Sequence, residues 1–162
     1  MLARRPYSIA ELRRALRRKF GAHAAVQDAI ARLRQLGYLD DKKFAEHYAA
    51  SLARNRALGS WRIRRELKAK LVNYRFIDPA VKVAFEETDE RELLERVLER
   101  KLRTLRLPLS QSKLHSLCQS LLRRGFRSDD IMKAVRARPE LKPVAEDVAA
   151  SDLESEGKEN SE

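Results

Sequence analysis

The chain has 162 residues, 43% hydrophobic and 36% charged, with 35 Lys+Arg against 24 Asp+Glu and a formal net charge of +11. That content allows a buried core in one compact domain or a short stack of units, while the single cysteine, Cys118, excludes an internal disulfide and fits a reducing cytosol. No apolar run approaches the ~20 residues of a membrane span, and no apolar segment follows the arginines near Met1, so the expectation is a cytoplasmic protein.

Ser8 with Glu11 three residues later has the form of a capping box, and Leu12, Leu16 and Phe20 line one face, which predicts a helix from about Ile9 to Lys19, ended by Gly21. Ala25, Val26, Ala29, Ile30, Leu33 and Leu36 recur at three and four residues and predict a second helix stopping at Gly37. Asp40 and Asp41 suit the N-cap and first turn of a third, striped by Phe44, Tyr48 and Leu52 and reaching about Ala57. After Gly59 and Ser60, Ile63, Leu67 and Leu71 mark a fourth helix, and Asp78-Pro79 reads as the opening of a fifth through Val81 and Phe85.

Asp89 and Glu92 form another capping box for a sixth helix with Leu94, Val97, Leu98, Leu102 and Leu105, which ends before Pro108. Leu114, Leu117, Cys118, Leu121 and Leu122 carry a seventh. Gly125 separates it from an eighth beginning after Ser128, with Asp129 and Asp130 at its positive end and Ile131 and Val135 facing inward. No period-2 strand pattern is present. Beyond Pro143, one Lys stands against seven acids with almost no large apolar side chains, too little burial to offset ordering entropy, so an acidic disordered tail is expected.

The apolar pattern repeats. Leu12, Leu16, Phe20, Val26 and Ile30 become Ile63, Leu67, Leu71, Ile77 and Val81 on adding 51, and Leu117, Leu121, Gly125, Ile131 and Val135 on adding 105. The matching basic position is Lys19, Lys70 and Arg124. A period just above 50 residues predicts an all-α fold of tandem three-helix repeats in an elongated array. The expected units are residues 1–40, 41–88 and 89–143, followed by the tail 144–162. The first unit is expected to lack its leading helix, because the counterparts of Phe44, Tyr48 and Leu52, 51 residues earlier, would lie before or at Met1; either this chain starts later than its relatives or the first unit is a two-helix cap.

Residues 1–143 hold 34 basic against 17 acidic side chains, a balance that favours a polyanionic partner, nucleic acid above all. The basic residues cluster on or beside the middle helix of each unit: Arg13, Arg14, Arg17, Arg18 and Lys19; Arg62, Arg64, Arg65, Lys68 and Lys70; Arg123, Arg124 and Arg127. A solvated face with local pairs such as Glu66 and Lys70 is the plain alternative. The acids are too few to neutralise the runs, so an extended basic stripe for partner or DNA contact is the stronger reading. Tyr38, Tyr48, Phe44, Phe76 and Phe85 read as core, leaving Trp61 and then Tyr74 or Phe126 as candidates for stacking or anchoring.

Asp40 and Asp41 stand where a helix cap is needed and read as caps rather than as a catalytic or metal pair. His23, His47 and His115 lack ligand spacing, and Cys118 shares an apolar face with Leu114, Leu117 and Leu121. No phosphate loop, nucleophile elbow or zinc-protease motif is present, so no catalytic residue, metal or cofactor is expected.

Ordered strings carry a family likeness: Leu2-Ala3-Arg4-Arg5, Tyr7-Ser8 and Glu11-Leu12; Gly37-Tyr38-Leu39-Asp40-Asp41 followed by Phe44-Ala45; Arg62-Ile63 with Glu66-Leu67; and Arg123-Arg124-Gly125-Phe126 followed by Ile131. Together they resemble the RecX family of bacterial recombination regulators across about residues 2 to 137. The resemblance implies a curved body of three-helix repeats that binds filaments of the RecA recombinase, inhibits strand exchange, ATP hydrolysis and coprotease activity, contacts DNA and performs no catalysis. The alternative left by the residues themselves is a general DNA- or RNA-binding helical protein that acts without a recombinase; either would be a monomer with no membrane contact.

Overall fold

The computed structural model describes residues 6–21 and 24–141. Among them the chain forms eight α-helices, α1 Ile9–Phe20, α2 Ala24–Gln35, α3 Asp41–Arg56, α4 Ser60–Ala69, α5 Tyr74–Glu86, α6 Glu90–Leu102, α7 Gln111–Arg123 and α8 Ser128–Arg136, then a 3-10 turn at Pro139–Leu141. No strand occurs among the described residues. The first five residues and the acidic segment expected to be disordered lie outside the described residues, as does His23.

The caps read from sequence close the helices as their chemistry requires. The Ser8 hydroxyl accepts from Glu11 N at 3.0 Å, and the Asp89 carboxylate accepts from Arg91 N and Glu92 N at 2.7 and 3.2 Å, each satisfying amides that the first helical turn leaves without partners. One start differs from expectation. The fifth helix opens at Asn73, whose side chain accepts from Arg75 N, and Pro79 sits inside the helix rather than at its start. Pro79 stands in the second turn, where an amide would have bonded the Arg75 carbonyl; the Asn73 cap and the burial of Ile77 in the second cluster keep Tyr74, Phe76 and Ile77 in the helix ahead of it.

Burial divides into three clusters. Leu12, Val26, Ile30 and Leu39 gather α1 and α2. Phe44, Ala45, Ala49, Leu52, Ile63, Leu67, Ile77 and Val81 gather α3, α4 and α5. Leu93, Leu94, Leu98, Leu117, Leu121, Phe126, Ile131 and Val135 gather α6, α7 and α8. Phe85 packs against both of the larger clusters and so links them.

Several apolar residues of the sequence pattern are not core. Phe20 and Tyr38 are 54% and 69% exposed; they stand at the ends of α1 and α2, outside the cluster of Leu12, Val26, Ile30 and Leu39, and Leu71, the counterpart of Phe20 one unit on, is exposed as well. Phe126, read as a candidate for exposure, is instead 3% exposed in the third cluster.

The units join through a joint that occurs twice with the same parts. The middle helices α1, α4 and α7 begin after Ser8, Gly59 and Ser110, N-caps that follow one another at intervals of 51 residues. At the first joint, the Ser8 hydroxyl donates to the Lys70 carbonyl at the end of α4, Lys70 Nζ meets Glu11 Oε1 at 3.2 Å, and Ile9 N donates to Asp41 Oδ1 at 2.8 Å. At the second, Gly59 N donates to the Arg124 carbonyl at 2.9 Å and Trp61 N to the Gly125 carbonyl at 3.1 Å. There Ser60 N donates to Glu90 Oε1 at 2.7 Å, and an Arg124 guanidinium nitrogen donates to the Arg56 and Ala57 carbonyls at 3.1 and 3.4 Å.

In each joint the acid that begins a leading helix, Asp41 or Glu90, and the carbonyl that ends a middle helix satisfy the free amides and cap of the middle helix one unit earlier. The result sets α7, α4 and α1 end to end, the C-terminus of one against the N-terminus of the next.

Candidate functional site

Of the basic residues singled out from sequence, Arg14, Arg17, Arg18, Lys19, Arg65, Lys68, Arg123 and Arg127 are exposed, while Arg13, Arg62, Arg64, Lys70 and Arg124 are half-buried. The half-buried ones other than Arg13 have internal work. Arg62 Nε pairs with Glu66 at 2.8 Å, Arg64 Nε with Asp78 at 2.7 Å, and Lys70 and Arg124 hold the two joints. Lys19, at the matching place in the first unit, is exposed with its ammonium 5.1 Å from the Phe20 ring centroid. Apart from Arg127 at the start of α8, the exposed cations therefore lie on the end-to-end run of α1, α4 and α7, interrupted at the joints where cations turn inward.

Apart from exposed Phe20 and Tyr38 and buried Phe126, the aromatic residues stand where the sequence reading put them. Trp61 and Tyr74 are 64% and 83% exposed, Trp61 with the Arg64 guanidinium 5.9 Å from its ring. Tyr48 is half-buried and stacks on Phe44 at 5.5 Å between centroids.

Sequence reasoning missed a set of cations that sits between the first and second units. A cleft of about 810 Å³ there is lined by Arg13, Arg34, Lys43 and Arg75 together with Asp40 and Asp41. Arg34, Lys43 and Arg75 belong to no middle helix, so a search for residues at repeating positions passes over them. The signal that reaches them is topological: α1, the end of α2, the start of α3 and the start of α5 must converge once Asp41 caps α1.

Asp40 Oδ1 accepts from Lys42 N and Lys43 N at 2.9 and 3.1 Å, and Asp41 caps α1. Both acids are thus caps, and no group of His, Cys, Asp and Glu that could hold a metal occurs among the described residues. Cys118 is half-buried, and burial raises its thiol above its ordinary pKa, which opposes the thiolate a nucleophile needs.

Two family models match the chain: the second three-helix domain of RecX over residues 40–80, and the third over residues 88–135. The chain is 32% identical to a regulatory protein RecX of Trichlorobacter lovleyi over 80% of its own length and 84% of the relative's. The chain belongs to the RecX family. It is also 35% identical to a regulatory protein RecX of Chlorobaculum tepidum, over 84% of this chain and 82% of the other. The crystal structure of RecX from Lactobacillus salivarius shares its fold with a TM-score of 0.66, covering 84% of this chain and 88% of that one at 21% identity.

The two matched domains fall on α3–α5 and α6–α8, the two groups of three helices with their own cores. The all-α, tandem three-helix architecture expected from the period of 51 is the architecture of this RecX chain. No helix among the described residues is long and apolar enough to cross a membrane.

Proposed function

We propose that this RecX chain is a noncatalytic regulator that binds filaments of the RecA recombinase, restraining filament growth and with it strand exchange, ATP hydrolysis and coprotease activity in DNA repair, recombination and the SOS response. One observation carries the reading: the three middle helices abut end to end, so the exposed cations Arg14, Arg17, Arg18, Lys19, Arg65, Lys68, Arg123 and Arg127 run along a serial array rather than surrounding one pocket. A compact ligand has no use for such a run. A filament with acidic grooves and regularly spaced phosphates does. Exposed Trp61, large and amphipathic, supplies an anchor of the kind found at the centre of protein contacts, and the RecX relatives carry the same regulatory name.

The test is DNA-dependent ATP hydrolysis by RecA with increasing amounts of the full chain at moderate salt. Inhibition that reaches completion, and that weakens in Arg65→Glu/Lys68→Glu and in Arg123→Glu/Arg127→Glu, supports the reading. No inhibition together with no binding to the filament refutes it. Equal binding to naked and recombinase-coated DNA, with no effect on hydrolysis, would favour a general nucleic-acid-binding protein instead.

A further inference from the structure

We propose that the cleft between the first and second units is a phosphate-binding notch for single-stranded nucleic acid, built from Arg13, Arg34, Lys43 and Arg75 with Tyr38 and Tyr74 as flanking base platforms. It extends the nucleic-acid contact in the proposed function, but does not require the recombinase and uses mainly residues outside the middle-helix run.

Three features of the cleft support this ligand. The first is unspent hydrogen-bonding capacity. Arg13 Nε is buried and has no hydrogen-bond partner, a costly state for a charged donor that an anion relieves.

The second is charge without ion-pair partners, the Arg75 guanidinium resting only over the Phe76 ring, 4.5 Å from its centroid. Among the described residues no ion pair reaches Arg34, Lys43 or Arg75, while the carboxylates of Asp40 and Asp41 are engaged by backbone amides. Four cations against two occupied acids leave a net positive cavity, and three of the four are guanidiniums, whose planar donor forks match phosphate oxygens.

The third is the placing of aromatic surface. Neither Tyr38 nor Tyr74 lines the cleft itself, but each stands in the chain between two residues that do, Gly37 and Leu39 for the one and Asn73 and Arg75 for the other. Both tyrosines are largely exposed, at 69% and 83%. Exposed rings beside a cationic groove bind unstacked bases, which a single strand offers and a duplex does not. The cleft, at about 810 Å³, falls in the range of roughly 300–1,000 Å³ of sites that take small ligands, enough for phosphate groups of a strand.

The experiment is fluorescence anisotropy of a labelled 20-nucleotide oligothymidylate with the full chain and no recombinase, over a series of salt concentrations. Arg34 and Arg75 are exposed, so Arg34→Ala/Arg75→Ala should melt with the wild type. It should bind the strand at least about tenfold more weakly and lower the salt slope by about 1.4, since each lost contact to a single strand removes about 0.7. Tyr74→Ala should weaken binding about fivefold or more. Arg96→Ala/Arg100→Ala removes two exposed cations from α6 and should change the affinity less than twofold.

Wild-type affinity in Arg34→Ala/Arg75→Ala overturns the proposal, as does an equal loss in Arg96→Ala/Arg100→Ala, which would make the effect one of net charge. A duplex of the same length bound as tightly as the strand, with Tyr74→Ala silent, overturns it too. RecA ATPase inhibition measured with the same variants separates this proposal from the proposed function: lost strand binding with retained inhibition supports the notch and leaves the filament reading intact. Absent inhibition and absent filament binding, with strand binding that depends on Arg34 and Arg75, refutes the filament reading and supports the notch.

Discussion

Gly59 is the most exacting position in the joint between the second and third units. Its backbone, at φ −78° and ψ 167°, is open to any residue, so replacing it tests contact alone. A Cβ built there lies 2.5 Å from the carbonyl carbon and oxygen of Gly125 and 2.6 Å from Phe126 N, whereas comfortable contact needs about 3.5–4.0 Å. All three atoms are backbone, so no side-chain rotation relieves the overlap. Opening the joint by about 1 Å stretches the 2.9 Å bond from Gly59 N to Arg124 O and the 3.1 Å bond from Trp61 N to Gly125 O beyond useful length.

Two lost bonds at about 1 kcal/mol each, with overpacking of about 1–3 kcal/mol partly relieved by that same opening, give Gly59→Ala a cost of about 2–4 kcal/mol. At about 2–4 °C per kcal/mol for a chain of this size, Tm falls by about 5–15 °C. Gly59→Ser restores a favoured N-cap yet carries the same Cβ, and should be destabilised almost as much. Gly37→Ala meets no atom within 4 Å and bears only the strain of φ +76°, about 1–2 kcal/mol. Thermal and urea melts followed by circular dichroism check the set. A Gly59→Ala protein melting within 2 °C of the wild type, or a Gly59→Ser protein fully rescued by its cap, would show that the joint is not closely packed.

Arg124→Ala should cost about 1.5–2.5 kcal/mol through its lost bonds to the Arg56 and Ala57 carbonyls, while the exposed neighbour Arg123→Ala should stay within about 0.5 kcal/mol of the wild type in the same urea melts. Asp41→Ala removes the acceptor for Ile9 N and should destabilise by about 1–2 kcal/mol and speed amide exchange in the first turn of α1. Asp41→Asn, which keeps an acceptor, should retain most of that protection. Burial raises the Cys118 thiol above its ordinary pKa, so near neutral pH iodoacetamide should alkylate it more slowly in the folded chain than in urea. As pH rises through the range where an unfolded thiol ionises, the folded chain keeps the proton that the unfolded chain gives up, so this group's contribution to stability declines.

The helices and their order were legible because each amphipathic stripe and cap is a local signal, and Leu12, Ile63 and Leu117 announce the same burial one unit apart. What was not legible depends on neighbours. Tyr38 carries an apolar ring beside the buried Leu39, yet it falls in the turn after α2 and is left exposed. Asp78-Pro79 has every local mark of a helix start, but the Asn73 cap five residues earlier, together with burial of Ile77 in the second cluster, extends the helix past it.

The recurring basic position is the most instructive case. Lys70 and Arg124 each reach back to the preceding unit, so a joint alone is sufficient reason for a cation to recur there, with no ligand involved. Periodicity in a stacked array reports first on what the units need from each other, because every joint imposes the same demand at the same interval. A ligand that spans units need not follow that interval. The cations free to meet one are then those released from joint and core: Arg14, Arg17, Arg18, Lys19, Arg65, Lys68 and Arg123 on the middle helices, Arg127 at the start of α8, and the aperiodic Arg34, Lys43 and Arg75 in the cleft. Substitution at Arg65 and Lys68 therefore tests the interface with little disturbance of the fold, whereas substitution at Lys70 or Arg124 confounds the two.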